Sequence, residues 1–198
     1  MPMITSRGDI EYECHAAFCA AASQYDMICS EGEDKLDICI TKGYIPGAIG
    51  RVAELNGRYY HENWGFGLFF EAMVATDLSD FLKRYDPLRD GFWTASSRGR
   101  VGGHITIDGV NSETKGAHLR YFIVSDELRG TGIGRELITR AVAFCREVGH
   151  KKVYLWTFEG LHAARHLYEG AGFRLVEMQR GSRWGAEVTE QRFELHLP

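Results

Sequence analysis

Six consecutive residues, Arg129-Gly130-Thr131-Gly132-Ile133-Gly134, have the composition of a phosphate-binding turn. They follow an apolar run, Phe122-Ile123-Val124, and open a segment whose apolar residues recur at helical spacing. Backbone N–H groups at the start of a helix lack intrahelical acceptors and carry partial positive charge, and glycines let a polyanion approach them with no Cβ in the way. Arg129 adds a full charge at the rim. Spacing narrows the choice of ligand. A mononucleotide loop needs Gly-Lys followed by Ser or Thr, and the chain contains no Gly-Lys pair. A dinucleotide fingerprint needs a third glycine where this chain has Arg135. A glycine-rich helix entry with no ligand stays open on this motif alone.

The turn must be held by the elements around it. Ile133, Leu137, Ala141, Phe144, Cys145 and Val148 form one stripe, with Arg135, Glu136, Thr139, Arg140, Arg146 and Glu147 facing away, so a helix is predicted over 131–148 and Gly149 ends it. Before the turn, 91–97, 100–108 and 118–125 read as strands of an antiparallel meander, separated by Gly-rich or polar punctuation. After it come a strand at 152–158, a helix at 161–172 and closing strands at 174–180 and 190–197. Upstream, Ile38 and Ile40 alternate before a Gly-Tyr-Ile-Pro-Gly turn, which predicts a further strand. Two helices are expected at 48–61 and 67–84, before Asp86-Pro87 breaks the pattern.

The turn resembles the R/Q-x-x-G-x-G/A signature of the GNAT superfamily of N-acetyltransferases, whose glycine-rich loop holds the pyrophosphate of acetyl-CoA. Ala163-Ala164-Arg165-His166-Leu167-Tyr168 with the Gly172-Phe173 closure is similar to that family's second cofactor segment. Two motifs in the right order, joined by the expected strand and helix, are more specific than either one. The stretches 59–72 and 155–185 also resemble acetyltransferase domains that follow a winged-helix domain in some bacterial regulators. The first 36 residues are too few for such a domain. The resemblance implies an α/β (α+β) fold, a mixed and mostly antiparallel central sheet flanked by helices on both faces. It covers 37–198, leaving 1–36 as an acidic arm.

The implied activity is transfer of an acetyl group from acetyl-CoA to a primary amine of a small molecule or protein. An acyl-CoA-binding sensor or scaffold without turnover is the alternative. In the family the pantetheine arm pairs with the strand before the loop, here the backbone of Phe122, Ile123 and Val124, and the phosphates meet Arg129, Gly130, Thr131, Gly132, Ile133 and Gly134. Ala164 and His166 are further cofactor neighbours, whereas Leu161 stands where the family often has a pantetheine-contacting Asn. Tyr168 occupies the position of the tyrosine that supports the departing thiol. A phenol of ordinary pKa ~10 is protonated at neutral pH and able to donate. For the general base, His104 ranks first among His104, Asp108, Glu113, His118, Glu159 and His162, because imidazole titrates near neutrality. The aromatic cluster from Tyr59 to Phe70 predicts an acceptor pocket for an amine with an apolar part, using Tyr60, Trp64, Phe66 and Glu71, with Trp184 as a further candidate.

Composition limits the remaining classes. The net charge of -4 is uneven, since residues 1–38 hold eight acids and two bases and the rest is nearly neutral, so there is no basic stripe for nucleic acid. The apolar run at 16–22 is far below the ~20 residues of a membrane span, and the acidic residues before it do not suit a secretory signal, which predicts a cytoplasmic chain. Five scattered cysteines without a C-x-x-C pair predict reduced thiols and no metal site. The partners expected are acetyl-CoA and an amine acceptor, with a homodimer allowed.

Overall fold

Strand β3 (Gly91–Ser97) sends successive side chains to opposite faces, as extended backbone must, and so helps to build two cores at once. Phe92 enters one core and Trp93 the other. The computed structural model describes residues 28–29 and 37–198. Among these, β1 (Ile28–Cys29), β2 (Ile38–Lys42), β3, β4 (Arg100–Asp108), β5 (Ala117–Val124), β6 (Lys152–Phe158), β7 (Arg174–Gly181) and β8 (Val188–His196) form one sheet. Its order is β1-β2-β3-β4-β5-β6-β8-β7, and β5–β6 is the one parallel pairing among them. The expected mixed, mostly antiparallel sheet is the architecture found.

Helices α1 (Ala48–Trp64) and α2 (Leu68–Lys83) pack with Phe92 and Phe158 on one face. Helix α3 (Ile133–Glu147) and Tyr168 of α4 (His162–Gly170) pack with Trp93, Ile105 and Phe193 on the other. The predicted stripe of α3 is the buried one: Ile133, Leu137, Ala141, Phe144 and Cys145 all leave solvent. Each large apolar side chain contributes about 1.5–3 kcal/mol relative to exposure. Central β4 is buried along nearly its whole length because helices cover both faces, so the polar members of its alternating sequence, His104, Thr106 and Asp108, are buried along with Ile105 and Ile107.

Local backbone chemistry sets the helix ends. Helix α3 begins at Ile133 rather than 131 because Gly132 adopts a left-handed φ of 88° as its N-cap, and α1 runs past 61 until Gly65 closes it at φ 67°. Of the expected arm, Ile28 and Cys29 pair with Ile40 and Cys39, and the rest lies outside the described residues. Cys39 is disulfide-bonded, which corrects the expectation of reduced thiols throughout. Cys145 is a free, buried thiol. No described helix is long and apolar enough to cross a membrane.

Candidate active site

Strands β5 and β6 pair only at Ala117–Val153 and His118–Tyr154, then part. Beyond that point β6 keeps its antiparallel partner β8 along its full length, so the side of β5 from Leu119 to Val124 that faces β6 has no strand partner. A bulge lies within this segment. His104 pairs with Ile123 and Thr106 with Arg120, leaving Ile105 opposite both Tyr121 and Phe122. Tyr121 takes the extra step with φ 53°, a left-handed conformation that costs a non-glycine residue about 1–3 kcal/mol. Its hydroxyl donates to Asp77 Oδ2 at 2.6 Å and accepts from Arg120 at 2.6 Å, which holds the bulge to α2.

A cavity of about 250 Å³ occupies the parting of the strands. Leu119, Tyr121 and Phe122 from β5, Leu155 to Phe158 from β6, Tyr60 from α1 and Tyr168 from α4 line it. Tyr168 is buried, and its ring meets those of Phe122 at 6.0 Å and Phe193 at 6.2 Å. Burial, with Tyr60 adding to it, raises the pKa of the Tyr168 phenol far above the ordinary value, and burial does the same to Tyr60. Both hydroxyls are therefore donors across the whole neutral range.

The glycine-rich loop follows directly from the open strand. Ser125 N–H donates to Gly102 O at 2.7 Å, a short 3-10 turn spans Asp126–Leu128, and the chain enters α3 through Gly130 and Gly132, with φ of 79° and 88°. A Cβ at either glycine would meet nothing within 4 Å, so their backbone is open on that side. Gly134 differs, because a Cβ there would lie 3.1 Å from the Leu167 side chain, which would have to give way. The N–H of Glu136 is the first to bond within the helix, to Gly132 O at 3.1 Å, leaving Ile133, Gly134 and Arg135 as unpaired donors at its start. The Ile133 side chain is buried in the core, and the Thr131 hydroxyl donates to Leu128 O at 2.7 Å. Both side chains thus brace the loop, and the Thr131 N–H is engaged as well, with Leu128 O at 3.4 Å, so the donors open to a ligand are the unpaired N–H groups at the helix start.

Arg129 is turned toward α1, ion-paired with Asp126 and stacked 4.8 Å from the Tyr59 ring centroid. It borders a second cleft of about 210 Å³ with Ile123, Val124, Arg51 and Arg58. Its side chain is half-exposed, and an exposed ion pair contributes only ~0–1 kcal/mol. Arg129→Ala is accordingly expected to weaken acetyl-CoA binding by about tenfold, the worth of one charged hydrogen bond less the pair it gives up. Titration calorimetry would check it, and an unchanged dissociation constant would remove Arg129 from the phosphate site.

Of the expected catalytic and acceptor positions, four fall outside the cavity. His104 lies in the sheet interior, where Nδ1 shares a hydrogen with Trp93 O at 2.8 Å, Nε2 meets Thr106 Oγ1 at 2.7 Å, and the ring packs 4.5 Å from Phe92. Burial, only partly offset by the Trp93 carbonyl, pushes its pKa down to about 3. Both of its ring nitrogens are engaged within the sheet, away from the cavity. Trp64 packs edge-on against Phe158 at 4.8 Å, Phe66 is buried and stacks on Tyr60 at 5.7 Å, and Glu71 is exposed over Gly57. None of these three lines the space itself. Ala164 packs between the two cores and His166 is exposed on α4.

His104 carries a pH prediction. Its folded pKa lies below its unfolded value of ~6.5, so the unfolded state binds the extra proton and stability is full above ~6.5 and lost as pH falls toward 3. Melting temperature measured across that window should fall more steeply for the native chain than for His104→Gln, which cannot take the proton. His104→Ala should cost about 2–4 kcal/mol by leaving a cavity and unpaired groups.

Several residues that the sequence did not single out converge on the cavity: Asn56, Met73 and Asp77 from α1 and α2, Arg120 and Tyr121 from the bulge, and Arg183 beside Trp184 from the β7–β8 turn. Asp77 had one legible signal. It stands four residues after Met73, so it shares a helical face with an apolar residue that packs inward. No signal marked the bulge, because the apolar run that follows Arg120 reads like any buried strand.

A model of the acetyltransferase (GNAT) family matches residues 50–173. Human N-acetyltransferase 8B is 28% identical over 136 residues, 66% of this chain and 60% of that protein. Rat N-acetyltransferase family 8 member 2 is 35% identical over 104 residues, 51% of this chain and 46% of that protein. The chain therefore spans only about half to three-fifths of these relatives' lengths. An acetyltransferase of the GNAT family from Staphylococcus aureus superposes with a TM-score of 0.65 at 18% identity, covering 80% of this chain and 99% of its own. The yncA structure from Salmonella typhimurium, determined with its cofactor acetyl-CoA, gives 0.63 at 16% identity, covering 80% of this chain and 94% of its own. At these identities the solved structures share the fold.

Proposed function

The chain belongs to the acetyltransferase (GNAT) family, and from that premise we propose that it transfers an acetyl group from acetyl-CoA to a primary amine. The observation that supports this most is the continuity of two features: an unpartnered strand edge at residues 119–124 runs straight into a helix N-terminus with open glycines. The first suits the amide-bearing pantetheine arm as an added strand, and the second suits a pyrophosphate. Their order along the chain matches the order of those groups along acetyl-CoA, with the thioester reaching the cavity beside Tyr168.

The reaction joins the amine nitrogen to the acetyl carbon, breaks the carbon–sulfur bond and releases two products, an amide and a thiol. The amine sheds a proton to solvent as it attacks. Tyr168 donates a hydrogen bond to the sulfur as charge develops there. Its raised pKa makes it a strong holder of its own proton, so it stabilises the thiolate and leaves final protonation to water. The acceptor is a small molecule or a protein amine.

Thiol release measured with acetyl-CoA and a panel of primary amines tests the proposal. Release that depends on the amine is the expected result. Tight acetyl-CoA binding without release for any acceptor would instead make the chain an acyl-CoA sensor.

A further inference from the structure

Asp77 is the one carboxylate among the residues lining the cavity. Its Oδ2 accepts from Tyr121 at 2.6 Å and from Arg120 at 2.5 Å, while Oδ1 takes no hydrogen bond among the described residues. The side chain is 39% exposed, and the exposed part borders the cavity. Two bonds on one oxygen fix the carboxylate plane and leave the other oxygen to an incoming donor. Around it stand the apolar and aromatic side chains of Tyr60, Phe70, Met73, Trp156 and Trp184.

The arginines on the same wall are already occupied. Arg120 is shared between Asp77 and Asp108, the latter also bound by Arg84 at 2.6 Å. Arg183 pairs with buried Glu190 at 3.3 Å and stacks 4.0 Å over Trp156. Arg120 is spent on two carboxylates and Arg183 is drawn to Glu190 and the Trp156 ring, so their charge is largely neutralised within the protein, whereas Asp77 keeps Oδ1 open and the ring faces favour a cation. The cavity volume of about 250 Å³ admits only a small body beside the acyl end.

Building on the acetyltransferase reading, we infer that Asp77 anchors the ammonium of the acceptor, and that this acceptor is a small primary amine with an aromatic or aliphatic body. Arg120 and Tyr121 are positioning residues, acting through Asp77. The bulge thereby has two consequences, opening β5 for the cofactor and presenting the two donors that orient the acceptor's anchor. An amine held by Asp77 sits across the cavity from Tyr168, which lies on the opposite core, so the two partners of the reaction enter from different sides.

Trp156 and Trp184 line the space, so binding can be read from tryptophan fluorescence in the presence of CoA. The probes are 2-phenylethylamine and its uncharged isostere 2-phenylethanol. The native chain should bind the amine at least about tenfold more tightly than the alcohol, and Asp77→Asn, which keeps an acceptor for Tyr121 and Arg120, should weaken the amine by roughly 10–100-fold and erase the discrimination. Equal affinity for the two probes, no binding of the amine, or an Asp77→Asn variant with native affinity would each overturn the inference. The comparison between probes on the native chain needs no variant, so a folding defect cannot obscure it. Acetyl-CoA affinity measured on the same samples separates the two ideas. Intact CoA binding with a failed amine test sinks only the anchor, and amine binding without CoA binding sinks the acetyltransferase reading.

Discussion

Gly132→Asp is expected to weaken acetyl-CoA binding by about three orders of magnitude while leaving the fold intact. The side chain has room, since a Cβ at Gly132 meets nothing within 4 Å. The backbone cost is modest: φ is 88°, and a left-handed conformation costs an L-residue about 1–2 kcal/mol, with Asp and Asn tolerating it best. The loss of binding arises from charge. A carboxylate about 4 Å from one phosphate charge repels it by about 4 kcal/mol at an effective dielectric of 20, a factor of about a thousand in affinity. Gly132→Asn carries the same backbone cost without the charge and should lose tenfold or less. Titration calorimetry on the two variants, with melting temperatures as controls, decides the matter. Equal losses would mean that backbone conformation governs binding, and no loss in either would move the phosphates away from this helix start.

The second large effect is expected at Tyr168→Phe, which should lower kcat by about 10–100-fold and leave acetyl-CoA affinity within about twofold. The ring keeps its contacts with Phe122, Phe173 and Phe193, so packing survives. Only the hydroxyl is lost. Because burial holds the phenol protonated well beyond neutral pH, the native rate should show no fall from Tyr168 ionising as pH rises through the phenol's ordinary value of ~10. Single-turnover rates separate chemistry from release. A matched loss in kcat and in acetyl-CoA affinity would mark Tyr168 as a structural residue, and an unchanged kcat would mean that the thiolate departs unaided.

Much of this protein was legible in its sequence because the controlling interactions are local. The stripe Ile133, Leu137, Ala141, Phe144 fixes one face of α3 through helical periodicity, and positive-φ glycines at 132 and 149 mark its ends. The strands at 91–97, 100–108 and 152–158 follow from residue type and turn chemistry. The glycine-rich loop and Tyr168 came into view because each belongs to a short segment that resembles a family motif.

Tertiary structure decided what depends on register between distant segments. His104 and Tyr168 are both buried titratable residues, yet one faces backbone and Thr106 inside the sheet while the other lines the cavity, and the residues beside His104 carry no sign of which way its ring is engaged. The extra residue at Tyr121 exists only relative to β4, because a bulge is a mismatch between two strands and a single strand cannot contain one. The parting of β5 from β6 likewise appears only when the two are laid side by side. Asp77 meets Arg120 and Tyr121 across more than forty residues of chain, and that meeting turns a polar residue on a helix into a candidate anchor. The sequence therefore determined the loop that suits a cofactor, since loop chemistry is short-range, and the folded sheet alone determined the cavity in which an acceptor could meet it.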